Sequence, residues 1–187
     1  MNRKLSVKDV VMAAAFAALT LLATFVLKIP TPALGYVHIG DTFVSLAGII
    51  LGPALGSLAA GIGSALADLL GGFAVWAPGT FVIKLLSALV CALIYRAIDK
   101  SENRKIPMIP AILLSGIAGE IVMVIGYFLY HILIVTLAVG GMTHASLASA
   151  LSLSAAEIPF NLVQGAIGLG LATALAPIFL KIFRYSE

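Results

Sequence analysis

Apolar residues in this chain come in long blocks divided by short polar or Gly/Pro-rich breaks. The blocks cover residues 10–29, 42–70, 73–95, 107–139 and 147–180. An α-helix needs about 20 apolar residues to cross a hydrocarbon core of about 30 Å. The block 42–70 is long for one span and holds Leu51-Gly52-Pro53, a natural break, since Gly ends helices and Pro starts them. Split there, the pattern predicts six helices in one domain over 1–187: about 8–28, 40–52, 53–70, 79–98, 107–138 and 147–183. The second would be only about 18 Å long at 1.5 Å per residue. It is expected to be buried in the bundle or to reach only part way. The last two exceed the membrane thickness and are expected to tilt, kink or project, with Pro159 and Pro177 as kink points.

Charge fixes the expected orientation. Nine of the eleven Lys and Arg residues fall in three clusters: Arg3, Lys4 and Lys8; Arg96, Lys100, Arg104 and Lys105; Lys181 and Arg184. Basic residues beside spans favour the cytoplasm, so each neighbouring pair of clusters must be separated by an even number of crossings. The split at Gly52 restores that parity. Both termini are then cytoplasmic, and the outer loops are 29–39, 71–78 and 139–146.

Composition agrees with this reading. The chain is 61% hydrophobic and 10% charged, where a soluble domain carries about 25% charge. The predicted class is an all-α integral membrane protein, a six-transmembrane-helix bundle. A net charge of +3 spread around the apolar blocks makes no nucleic-acid patch. The lone Cys91 lies in an apolar run and reads as a buried small hydrophobe. Arg3, Lys4 and Lys8 ahead of Val10–Leu27 imitate a signal peptide, but the run is long and more spans follow, so it reads as a retained helix.

On this topology Asp41, Asp68, Glu120 and Glu157, with Lys84 and all three histidines, fall at the outer side of the membrane or near its middle. Intramembrane charge is costly and usually faces a cavity or a partner. The pattern suggests a polar pocket open to the outside. Asp41 after Gly40 reads either as a helix N-cap or as a ligand contact, with His38 close by in loop 29–39. Asp68 and Lys84 flank loop 71–78 and suggest a salt bridge. Trp76 and Phe73 in that loop read equally as interfacial belt residues or as a platform for a flat ligand. Glu120, Tyr127 and His131 share one helical face; Glu157, Asn161 and Gln164 share another. These two stripes suggest a ligand site, with interhelical hydrogen bonding as the alternative. In helix 1, Ala13/Ala17 and Ala14/Ala18 are small-xxx-small pairs suited to close helix contact, within the chain or with another protein.

Catalytic motifs are absent from the sequence. There is no H-E-x-x-H, no cysteine cluster for zinc and no phosphate-binding loop, so neither metal nor cofactor is expected. A channel would carry polar stripes along whole helices, whereas here polarity stops near mid-membrane. An intramembrane enzyme would have to work with Glu120 and Glu157.

In their order and spacing, five stretches resemble the substrate-binding S components of energy-coupling factor (ECF) vitamin transporters. They are His38-Ile-Gly-Asp41; Leu51-Gly-Pro-Ala-Leu-Gly56 leading to Ser64-Ala-Leu-Ala-Asp68; Ala77-Pro-Gly-Thr-Phe-Val-Ile-Lys84; Gly119-Glu120 to Gly126-Tyr127-Phe128; and Glu157-Ile-Pro-Phe-Asn161-Leu-Val-Gln164. The resemblance covers nearly the whole chain. It implies six helices, an extracellular-side vitamin pocket, no enzyme activity, and location in a bacterial plasma membrane. It also implies partners: a transmembrane coupling subunit and two ATP-binding subunits, onto which Ala13, Ala14, Ala17 and Ala18 would dock. Transport would proceed by toppling of the S component. Members of the hydroxymethylpyrimidine/pyridoxine and riboflavin types look most similar. Four carboxylates, set against Lys84 and at most Lys28, disfavour an anionic vitamin such as pantothenate, biotin or folate, and aromatics favour a ring. The expected ligand is a small, neutral or weakly basic heteroaromatic, hydroxymethylpyrimidine or pyridoxine first and riboflavin next.

Overall fold

The structure, a computed structural model, describes residues 5–32, 35–99, 106–138, 141 and 143–184. Arg3, Lys4, Lys100, Arg104 and Lys105 lie outside the described residues, as does the Arg184 side chain.

Six helices occur among the described residues: α1 Val7–Val26, α2 Asp41–Leu51, α3 Pro53–Leu70, α4 Ala77–Asp99, α5 Met108–Ala138 and α6 His144–Arg184. All but α2 are long and apolar enough to cross a membrane. α1 starts with a capping box: Asp9 N–H donates to Ser6 Oγ (3.2 Å) and Ser6 N–H donates to Asp9 Oδ2 (2.9 Å). α6 starts ahead of position 147 for a similar reason. Thr143 N–H donates to Ser146 Oγ (2.9 Å) and Ser146 N–H to Thr143 Oγ1 (3.1 Å), which satisfies the first turn. α6 runs through both Pro159 and Pro177.

The break between α2 and α3 rests on Gly52, whose φ of +81° suits a residue without Cβ, followed by Pro53 at the start of α3. The two helices then fold back closely, because a Cβ at Gly56 would collide with the Ala47 carbonyl. Although short, α2 is central. It touches α1, α3, α4 and α6, and eight of its eleven residues are buried.

One feature of the loops is not helical. Ile29–Pro30 (β1) pairs antiparallel with Tyr36–Val37 (β2), and Thr31 N–H donates to the Gly35 carbonyl at 3.0 Å. Strands of two residues have no readable periodicity, so the sequence marked this segment only as non-helical.

The bundle has two unlike halves. Phe16, Tyr95, Ile112 and Leu180 belong to an apolar core at one end, where Phe16 packs against Phe179 and Phe183. The hairpin, the α3–α4 loop and most buried polar groups lie at the other.

Candidate ligand-binding site

A cavity of about 50 Å³ sits beneath the β1–β2 hairpin. Its walls are Tyr36 and His38 from the hairpin, Asp68, Phe73, Trp76 and Thr80 around the α3–α4 loop, Tyr127 and His131 from α5, and Glu157, Asn161 and Gln164 from α6.

Beneath this cavity lies a buried polar network. Lys84 donates to Asp41 Oδ1, both fully enclosed. Gln164 Nε2 donates to Asp41 Oδ2 (2.7 Å), and Gln164 Oε1 accepts the backbone N–H of His38 (3.1 Å). The amide orientation is self-consistent, since only the oxygen can receive the His38 N–H. Burying a charge demands a counter-charge and hydrogen bonds, and this network supplies both. It anchors the hairpin's exit to α6.

Glu157 anchors the hairpin's other end: its Oε1 accepts from Thr31 Oγ1 at 2.7 Å. Gly35 lies against the same carboxylate, 3.0 Å from where a Cβ would sit. The hairpin is also tied to the α3–α4 loop. Tyr36 donates its hydroxyl to Asp68 Oδ1, and its ring packs on Phe73 at 4.7 Å between centroids. Lys28, just past α1, places its ammonium over the rings of Phe25, Tyr36 and Phe73 at 4.9, 4.7 and 5.2 Å. It also donates to the Ala67 carbonyl in the last turn of α3 (3.3 Å). Burial lowers the Lys28 pKa, with the nearby Asp68 charge opposing. Burial, reinforced by Asp68, raises that of Tyr36.

The far wall is aromatic. Trp76 packs against His131, Tyr130 and Tyr127 at 5.2, 6.0 and 6.5 Å. Tyr130 donates to the Val75 carbonyl (2.8 Å), and Gly79 leaves the space its ring occupies. The arrangement is a flat-sided slot lined also by carboxylates, amides and two imidazoles. It suits a planar polar molecule and offers no metal-binding cluster among the described residues.

Residues 4–181 match the sequence model of the family described as "ECF-type riboflavin transporter, S component". The chain belongs to that family. A protein of Pyrococcus woesei, described as "Uncharacterized protein in gap 3'region", is 36% identical over 107 residues. That stretch is 57% of this chain and 66% of the relative, so the match spans just under two thirds of the relative's length. A solved structure described as "Structure and mechanism of the S component of a bacterial ECF transporter" superposes with a TM-score of 0.58. It covers 96% of this chain and 98% of that one at 19% identity, a likeness of fold.

S components of this family are substrate-binding transporter subunits. Several expectations from the sequence need correction. Asp41 and Lys84 do not line the cavity; they neutralise each other below it. The expected Asp68–Lys84 bridge is replaced by that pair, and Asp68 takes Tyr36 instead. Asp41 is not an N-cap either: Gly40 holds that position, without a side-chain cap. Glu120 shares the α5 face of Tyr127 and His131 but sits deeper and outside the cavity. It lines an apolar groove between α5 and α6, against Gly165. Trp76, His38, Asp68, Tyr127, His131, Glu157, Asn161 and Gln164 are brought together around the cavity. Sequence reasoning did not assign Tyr36, Thr80 or Thr31, and weighed Lys28 only as a charge near the pocket. Tyr36 carried no signal in the sequence beyond its place close to His38 in a non-helical loop.

The alanines of α1 divide. Ala13 and Ala17 pack against the core, with the Ala17 backbone against Gly63, whereas Ala14 and Ala18 are exposed.

Proposed function

We propose that this S component captures a planar, neutral, heteroaromatic vitamin in the cavity under the β1–β2 hairpin. It delivers the vitamin inward when docked on a coupling subunit and two ATP-binding subunits. Carrying this reading is the slot between Trp76, Tyr127 and Tyr36, edged by Asn161, His38 and two carboxylates. Aromatic walls favour a ring, and hydrogen-bonding edges favour a polar one. The family's description favours riboflavin, ahead of the hydroxymethylpyrimidine and pyridoxine expected first from the sequence. The slot is small as it stands, so entry requires the Lys28–Tyr36–Phe73–Asp68 cluster to part. Binding faces the outside of the cell membrane, and the exposed Ala14/Ala18 face of α1 meets the coupling subunit.

Native mass spectrometry of the protein, purified gently from vitamin-fed cells, tests the reading. A retained riboflavin, pyrimidine or pyridine vitamin is the expected result. An anionic vitamin, or turnover of a vitamin by the protein alone, would overturn it.

A further inference from the structure

We infer that His38 and Asp68 together read one edge of the ligand. His38 Nε2–H donates to a lone pair, and Asp68 Oδ2 accepts from an adjacent N–H. The inference deepens the vitamin-binding reading of this cavity and rests on it.

The imidazole's tautomer follows from its bonds. His38 Nδ1 accepts the backbone N–H of Gly40 at 3.0 Å. A neutral ring that accepts at Nδ1 must carry its proton at Nε2. The rest of the residue is also held in place. Its backbone N–H is bound to Gln164, which is bound to Asp41, which is bound to Lys84. His38 is 7% exposed and lines the cavity, so Nε2–H is a fixed donor there.

Asp68 supplies the opposite polarity. It is 2% exposed and lines the same cavity. Oδ1 is occupied by the Tyr36 hydroxyl. Oδ2 is buried and makes no hydrogen bond of standard geometry, although the Thr80 hydroxyl lies near the carboxylate. A buried carboxylate oxygen without a full partner is costly, and a ligand donor would relieve that cost. Tyr36 links the two groups: its ring lies 5.4 Å from the His38 ring, and its hydroxyl holds Asp68. Acceptor and donor readers therefore flank one ring.

The matching ligand edge has a lone pair next to an N–H, as in a cyclic imide or an aminopyrimidine. The dione ring of riboflavin has such an edge and so does 4-amino-5-hydroxymethyl-2-methylpyrimidine. Pyridoxine does not.

Two measurements test this. The first needs no ligand: side-chain 15N shifts of the His-labelled protein in lipid nanodiscs, with His38 assigned by its loss in His38→Gln. A pyrrole-type Nε2 and pyridine-type Nδ1 are expected, and the reverse tautomer overturns the inference. The second is titration with riboflavin, N3-methylriboflavin, the aminopyrimidine and pyridoxine. Methylating N3 removes the donor and keeps the carbonyls, and is expected to weaken binding roughly tenfold or more, because the lost bond is to a carboxylate. His38→Leu is expected to weaken the favoured compound by about three- to tenfold, with His38→Gln restoring most of it. Equal affinity for riboflavin and its N3-methyl form, or failure of both edge-bearing compounds, overturns the inference. If pyridoxine is instead the vitamin retained on purification, this inference fails and the S-component reading stands. Retention and transport of no vitamin would sink that reading as well.

Discussion

Asn161 and Gln164 lie one turn apart on α6, yet their side chains meet different surroundings. Gln164 is committed to His38 and Asp41, whereas Asn161 faces the cavity with its amide unused. Asn161→Ala is therefore expected to weaken vitamin binding about 2- to 10-fold with an unchanged melting temperature. Gln164→Ala strands a buried N–H and a carboxylate oxygen, at a cost of about 1–3 kcal/mol in stability, before any ligand is added. Calorimetric titration and thermal unfolding of both variants separate the two roles; equal behaviour would refute the division. His38 adds a pH signature. Burial, with Lys84 and Lys28 adding to it against the opposing Asp41, holds its pKa at about 3, below the ordinary 6.5. The folded state thus binds fewer protons than the unfolded state. Its stability contribution is complete above about pH 6.5 and declines as pH falls toward 3, by at most about 1.4 kcal/mol per pH unit. Between pH 7.5 and 5 the wild-type melting temperature should fall more than that of His38→Gln. The residue types of the site were legible in the sequence because charge in an apolar block is conspicuous. Their pairing was not. Asp68 and Asp41 are both at helix ends near Lys84, and only the packing of α2 into the bundle's centre decides which carboxylate the lysine meets.

Helices were the legible elements, because each is a block of apolar residues long enough to be seen above the noise of single positions. Less visible were the features that depend on two or three side chains, such as the Thr143–Ser146 cap and the β1–β2 hairpin. The face of α1 was half legible. Alanine pairs announce close contact, but periodicity does not say which pair turns inward. With Ala17 against Gly63 and Ala14 exposed, the two tryptophan substitutions should differ. Ala14→Trp is expected to leave binding and melting temperature intact and to abolish uptake in vesicles holding the complete transporter. Ala17→Trp is expected to lower the melting temperature by wedging α1 from α3. Uptake undiminished by Ala14→Trp would remove this face from the docking surface.

For the whole molecule, we propose the orientation that the three basic clusters and the parity of crossings favour, with both termini cytoplasmic. In a Cys91→Ala background, an impermeant thiol reagent added outside cells should label a cysteine at position 74 and not one at position 103. The reverse pattern would invert the bundle and put the cavity on the cytoplasmic side. The hairpin's anchors also order events in time. Thr31 and His38 are bonded to Glu157 and Gln164, each pair 126 residues apart. A ribosome emits Lys84 soon enough to neutralise Asp41, but the partners on α6 emerge last. For most of synthesis the hairpin has no floor, and one flank of α2 is bare. A nascent chain that stops before α6 should therefore be inserted in the membrane yet be readily cleared by quality-control proteases. Co-expression of residues 1–138 with residues 139–187 should rescue the first fragment from degradation, as a pulse-chase experiment would show.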